Sequence, residues 1–266
     1  MRGRVCVITG ASSGIGEATS RSLAALGASV VVAARREERL TEIVSDLEHQ
    51  GATARAVRCD VTKKRDLQAL LRQVETEFGR CDVLVNNAGI PGGGWFERVS
   101  MRQIDAVTTT NYLSVLWATK FFLPLLLESK GHVVNVASLA GRYALPGAAV
   151  YAATKHAVVA LSESLYYELK PKGVMVTVVN PGLVTTEGFP HDRLRSDQRF
   201  GAFVMQPDRV ADAIVDVIRR RRGPEVSVPR WQGGLQAFRV LTPPLYRAVL
   251  SRLVGDRATE ARAEKD

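Results

Sequence analysis

Residues 4–9, RVCVIT, form a short apolar run that leads into the glycine-rich stretch 9–16, TGASSGIG. A helical pattern follows from about Ile15 to Leu26 and is closed by Gly27. This order of strand, glycine turn and helix constrains the chain more than any other feature. Glycines at 10, 14 and 16 let the backbone approach a diphosphate, and the helix that follows offers free N–H groups and the positive end of its dipole. Ser12, Ser13 and Ile15 fill the turn between them. The spacing is GxxxGxG rather than GxGxxG, so the general fingerprint is not met letter for letter. The phosphate reading therefore rests on the setting.

The same alternation continues along the chain. Strand patterns fall at 29–34, 53–58, 82–85, 131–137, 174–179 and 225–228. Helical patterns fall at 37–50, from Thr62 or Lys63 to about 78, at 104–127, from the Tyr151 region to about 169, and from Pro207 to Arg222. Strands that alternate with helices build a parallel sheet wound on both sides. The expected fold is α/β: a Rossmann-like, doubly wound sheet of about seven mostly parallel strands with helices on both faces. At 266 residues the chain suits one such domain over residues 1–228. A polar, irregular stretch at about 186–206 is placed where a substrate lid would sit. Residues 229–266 form an extension of apolar and arginine residues. Docking on the core, burial in a subunit interface and contact with an anionic membrane are its three uses, preferred in that order.

Several strand ends carry polar residues that suit a ligand. The second strand ends in Ala34 and is followed by Arg35 and Arg36. An acidic residue at this point would bond ribose hydroxyls, whereas arginine accommodates a 2′-phosphate. The pair thus favours NADP(H) over NAD(H), against the plain reading of two helix-start arginines facing Glu37 and Glu38. Asp60 and Val61 follow the third strand, where a carboxylate can meet an adenine amine or cap the next helix. Asn86, Asn87, Ala88 and Gly89 follow the fourth, either bracing the sheet or bordering the ligand. Asn111 is a lone amide in an apolar helix, read as a satisfied core amide or a helix distortion. Pro181, Gly182, Val184 and Thr186 follow the sixth strand.

The chemical signal lies in SLAGRYALPGAAVYAATK, residues 138–155. On a helix, Tyr151 and Lys155 are one turn apart on one face. A tyrosine hydroxyl has a pKa of about 10, and a nearby ammonium favours its phenolate. Ser138 can bond the same substrate oxygen. A half-buried aromatic helix with a surface lysine is the plain alternative for these two residues alone.

The net charge of +9 is gathered in short runs such as 35–36, 63–65 and 219–222, mostly solvated helix ends. No recognition motif for nucleic acid accompanies it. Cys6, Cys59 and Cys81 are an odd set without framework spacing, which reads as reduced thiols in a cytoplasmic protein. No signal peptide, spanning helix or metal-ligand cluster is expected.

With TGASSGIG, NNAG, Asn111, Ser138, Tyr151-x-x-x-Lys155 and Asn180-Pro-Gly in this order, the chain closely resembles a short-chain dehydrogenase/reductase over roughly residues 4–228. The resemblance implies that Tyr151 is the general acid and base, that Lys155 lowers its pKa and binds the nicotinamide ribose, and that Ser138 orients the substrate oxygen. It implies that Asn111 holds a water linking Lys155 to solvent. Gly10, Ser12, Gly14, Ile15 and Gly16 would line the diphosphate turn, Asp60 and Val61 the adenine, and Asn87 the adjoining ribose. Pro181, Gly182, Val184 and Thr186 would hold the nicotinamide side. Ala34 and Arg35 match members that prefer NADP. Members commonly pair as dimers or tetramers through the helices that bear Asn111 and Tyr151.

The expected activity is NADP(H)-dependent hydride transfer between nicotinamide and a carbonyl or secondary alcohol. The expected wall is apolar (Ile90, Trp95, Leu139, Tyr143, Leu145, Val184 and Phe189), which suits a hydrophobic small molecule. A 3-oxoacyl thioester is the alternative substrate, with Arg193, Arg195 and Arg199 beside its phosphopantetheine arm. A non-catalytic NADPH sensor is the rival class.

Overall fold

A computed structural model describes residues 1–188, 203–249 and 251. Strands β1 (Val5–Thr9), β2 (Ser29–Ala34), β3 (Ala54–Arg58), β4 (Val83–Asn86), β5 (His132–Val136), β6 (Met175–Pro181) and β7 (Glu225–Val228) make one sheet. Its order is β3-β2-β1-β4-β5-β6-β7 and all its pairings are parallel. The chain reverses its direction of growth between β1 and β4. There the registers Ile8–Val32 and Ile8–Val85 flank β1 on both sides. A crevice opens at such a switch point, past the carboxyl ends of the strands.

Helices cover both faces because most strands are apolar on both sides. Helices α1 (Gly14–Ala25) and α2 (Glu37–His49) bury Leu23, Leu40 and Ile43 on one face, with Ile214 and Ile218 from the later helix 207–220. Helix α3 (Lys64–Phe78) buries Leu67, Leu70 and Val74 on the other, beside Phe122 and Leu126. Each of these largest core side chains is fully buried.

The helix expected at 104–127 is longer and is interrupted. Helix α4 (Met101–Thr108) is capped by the Ser100 hydroxyl, which accepts from the Gln103 amide. A π turn at Thr109–Leu113 then passes into α5 (Ser114–Glu128). The turn falls on Asn111, so the distortion read from that amide is present. Helix α6 (Ala149–Leu169) carries Tyr151 and Lys155 in its first turns. Helix α7 (Pro207–Arg220) stops where Arg221 turns left-handed at φ 48°, two residues before the expected end.

The extension past β7 begins with α8 (Gln232–Leu241), and a further helical stretch covers 243–249. It meets the core through aromatic contacts, with Tyr143 and Tyr246 rings 6.4 Å apart and Phe203 against Trp231 at 5.7 Å. Most of the expected lid, with Phe189, Arg193, Arg195 and Arg199, lies outside the described residues. Among the described residues no helix is long and apolar enough to cross a membrane.

Candidate active site

A cleft of about 650 Å³ runs along the carboxyl ends of the strands, from Arg35 and Asp60 at one end to Ser138, Tyr151 and Lys155 at the other. Its floor is the glycine turn. Gly10 takes φ 64°, and a Cβ on it would stand 2.7 Å from the Ala88 Cα. A Cβ on Gly16 would stand 2.4 Å from the Gly10 carbonyl oxygen and 2.5 Å from Asn87 Nδ2. Only glycine allows β1 to turn this tightly against the loop after β4.

That loop is tied to the turn by hydrogen bonds. Asn87 Nδ2 donates to the carbonyls of Thr9 (3.0 Å) and Gly10 (3.1 Å), and the Asn87 amide donates to Thr9 Oγ1. Asn86 is buried and donates to Asn135 Oδ1 at 2.8 Å and to Thr119 Oγ1, while Asn135 donates on to Ser162. The two readings of NNAG are therefore divided between its residues. Asn86 braces the sheet, while Asn87, Ala88 and Gly89 both brace and line the cleft.

At the far end, Arg35 lines the cleft from the surface. Arg36 turns back over the glycine loop. Its Nη2 donates to Ser13 Oγ at 2.9 Å and to Ser12 Oγ at 3.1 Å. Asp60 Oδ1 accepts from the Thr62 amide and hydroxyl, so the carboxylate forms the turn into α3 while also facing the cleft. Burial raises the Asp60 pKa, but Thr62, then Lys63 and Arg35, outweigh it and hold the carboxyl below its usual range.

The catalytic candidates converge where β5 ends. Ser138 caps a single 3-10 turn, Leu139–Gly141, accepting from the Ala140 amide at 3.1 Å. Its hydroxyl is hydrogen-bonded with Tyr151. Lys155 is buried, lies 5.7 Å from the Tyr151 ring centroid and donates to the Val136 carbonyl at 3.0 Å. Burial alone lowers its pKa to about 8.

Tyr151 itself departs from expectation. Its pKa is raised, because burial outweighs the Ser138 hydrogen bond. The Lys155 ammonium donates to the Val136 carbonyl, so its hydrogen bonding is shared with the end of β5. Asn111 is held by Ile90: Oδ1 accepts from the Ile90 amide at 2.8 Å and Nδ2 donates to its carbonyl at 2.9 Å. A Cβ on Gly89 would stand 3.4 Å from Asn111 Oδ1 and 3.7 Å from Lys155 Nζ, so the two residues flank one glycine.

Ile90, Leu139, Tyr143, Leu145 and Val184 line the cleft as expected. Trp95 does not: it is 43% exposed and stands outside the lining. Pro181, Gly182, Val184 and Thr186 all line the cleft beyond β6. Residues with no sequence signal also reach this region. Gln232, at the start of α8, is buried and places Nε2 2.5 Å from where a Gly182 Cβ would be. Nothing in the tail's composition points to it. Among the described residues no cluster of side chains is arranged to hold a metal ion.

Comparison with known proteins agrees with this geometry. The family described as short chain dehydrogenase matches residues 4–196. An 11-beta-hydroxysteroid dehydrogenase-like protein of Arabidopsis thaliana is 35% identical over 249 residues, which span 92% of this chain and 83% of that one. A short-chain dehydrogenase/reductase of Burkholderia phymatum, solved with NAD, superposes at TM-score 0.82 with 30% identity, covering 92% of this chain and 95% of that chain. A variant of actinorhodin polyketide ketoreductase, solved with NADPH, superposes at 0.77 with 33% identity, covering 86% and 97%. From the glycine turn through the Tyr151–Lys155 helix, the chain belongs to the short-chain dehydrogenase/reductase family of oxidoreductases.

Proposed function

We propose that the protein is an NADP(H)-dependent reductase or dehydrogenase acting on a carbonyl or secondary alcohol of a hydrophobic small molecule. The observation that carries this reading is the single cleft that joins two basic side chains, Arg35 and Arg36, to Ser138, Tyr151 and Lys155. The residues fit a nicotinamide dinucleotide. The backbone is bare at Gly10 and Gly16, where any Cβ would collide, and the cleft volume is in the range of small-molecule sites. When bound, that cofactor supplies the hydride chemistry.

The chain's own residues do the rest. Tyr151 Oη gives a proton to the carbonyl oxygen in reduction and takes it back in oxidation. Its raised pKa keeps it protonated near neutral pH, the form that reduction needs. Ser138 Oγ, bonded to the same phenol, orients the substrate oxygen. Lys155 holds the nicotinamide ribose, and Asn111 fixes the Ile90 backbone beside it. Gly14, Ile15 and Ser12 border the diphosphate. Asp60 and Val61 border the adenine and Asn87 the next ribose. Pro181, Gly182, Val184 and Thr186 border the nicotinamide. Arg35 reads the 2′-phosphate.

The apolar wall of Ile90, Leu139, Tyr143, Leu145 and Val184 favours a lipid-like or steroid-like ketone. A 3-oxoacyl thioester is the second reading, favoured by the likeness to a polyketide ketoreductase. Three buried, unpaired cysteines support cytoplasmic residence, and a dimer or tetramer would form through the helical segments that bear Asn111 and Tyr151. The test is oxidation of NADPH and NADH against a panel of ketones, aldehydes and 3-oxoacyl thioesters, with Tyr151→Phe as the blank. NADPH-dependent turnover that the variant lacks supports the reading. A variant as active as the parent overturns it.

A further inference from the structure

We infer that Glu187 is a specificity-determining residue, an internal competitor that holds Arg36 and weakens binding of the 2′-phosphate. The inference rests on the NADP(H) reading above and deepens it. Arg35 and Arg36 are adjacent in sequence but sit in different surroundings. Among the described residues no ion pair involves Arg35, although its charge helps to hold the Asp60 carboxyl low. Arg36 has a hydrogen-bond partner on each of its three nitrogens. Nε donates to Ser12 Oγ at 3.2 Å, and Nη2 to Ser13 Oγ at 2.9 Å and to the Ser12 oxygens. Nη1 donates to Glu187 Oε1 at 2.5 Å.

Glu187 comes from the opposite wall, one residue past Thr186. Its carboxyl lies below the usual range, first through the Arg36 hydrogen bond, with Ser13 and Arg39 adding to the effect. Arg36 and the Ser13 hydroxyl thus form an anion cradle in which the protein's own carboxylate lies, while Arg39, itself paired with Glu42 and Glu17, adds only a distant positive charge. This is the end of the cleft where Ser12, Ser13, Arg35 and Asp60 meet. A phosphate monoester entering there brings close to two negative charges. It must share Arg36 with Glu187 or displace it. The ion pair is 42% exposed on Arg36 and 63% on Glu187, so it is easily broken, and such a pair biases an equilibrium by about 1.5- to 5-fold. NADH has no phosphate at this position and does not enter the competition. Glu187 therefore narrows the preference for NADP(H) set by Arg35. It also speeds release of the phosphorylated cofactor, and product release limits turnover in many enzymes.

The test is a set of dissociation constants at low ionic strength, with NADPH, NADH and 2′,5′-ADP as probes. The proteins are the full chain, Glu187→Gln, Arg36→Ala and the double variant. Glu187→Gln should tighten NADPH and 2′,5′-ADP by about 2- to 5-fold and leave NADH unchanged. In the Arg36→Ala background the same change should do nothing for any probe. Two results would overturn the inference alone: no effect of Glu187→Gln on NADPH, or equal weakening of NADPH and NADH, which would make Glu187 a clasp over the cofactor. A full chain that binds NADH as tightly as NADPH, and does not bind 2′,5′-ADP, overturns the NADP(H) reading and the inference with it.

Discussion

The Tyr143 hydroxyl donates to the backbone carbonyl of Gln232 at 3.1 Å, which ties the wall of the cleft to the first turn of α8. Tyr143 reaches the cleft from one side and the tail from the other, since its ring also faces Tyr246. The bond is buried, so losing it leaves the Gln232 carbonyl without that partner. Tyr143→Phe should cost about 0.5–1.5 kcal/mol, a fall in Tm of a few degrees. KM for a hydrophobic ketone should rise more than kcat falls, because the wall moves while Tyr151 stays. Thermal unfolding and steady-state kinetics of the one variant check both. An unchanged Tm would mean that the extension is held by its other contacts.

Tyr151→Phe removes the proton donor and keeps the ring that lies under Lys155. General acid–base catalysis is typically worth about 10²–10⁴-fold, and kcat should fall by that order. The cofactor contacts proposed for Lys155 and the glycine turn do not involve the phenol oxygen. The dissociation constant for NADPH should therefore stay within about twofold, far less than the tenfold that 1.4 kcal/mol would produce. Fluorescence titration beside a turnover assay separates the two effects.

Arg35→Ala tests the reader of the 2′-phosphate. A hydrogen bond to a charged group contributes about 1.5–3 kcal/mol, so NADPH should bind about 10- to 100-fold more weakly. NADH should be nearly unaffected. Equal losses for both cofactors would show that Arg35 only shapes the turn after β2. Raising the salt concentration should shrink the NADPH effect, because the side chain is exposed and screened.

The fold was legible because its signals are local. RVCVIT and SVVVAA are apolar on both faces, and only a sheet covered on both sides uses such strands. The helix bearing Tyr151 and Lys155 starts and ends close to where its periodicity places it. The site was legible as a set of residues, since Ser138, Tyr151 and Lys155 do meet at the end of β5. Their electrostatics were not. The Tyr151 pKa depends on burial set by α6 against the sheet, and the direction of the Lys155 ammonium depends on a carbonyl at Val136, nineteen positions away. Spacing on one helix says nothing of either. Asn111 announced a distortion but not its partner, because Ile90 reaches it only through the tertiary fold. Gln232 and Glu187 were illegible for the same reason: each acts through a contact with a distant turn and neither sits in a motif.

A buried histidine outside the site makes the fold sensitive to acid. His132 sits in β5, where Nε2 is 2.8 Å from Thr177 Oγ1. Its Nδ1 is buried without a hydrogen-bond partner. Burial, with Arg221 and Arg4 adding to it, lowers its pKa from 6.5 to about 3. The folded state therefore binds this proton more weakly than the unfolded chain does. Stability from this group is fully present above pH 6.5 and is lost as pH falls toward 3. One proton corresponds to about 1.4 kcal/mol per pH unit, so going from pH 7 to pH 5 should remove about 2 kcal/mol through His132 alone. His132→Gln is neutral throughout. It should be less stable than the parent at pH 7, yet lose less stability on acidification. Urea unfolding of both proteins at pH 7, 6 and 5 measures the difference in slope. Parallel lines would mean that the imidazole gains its proton without unfolding, through a water or a rearranged Thr177.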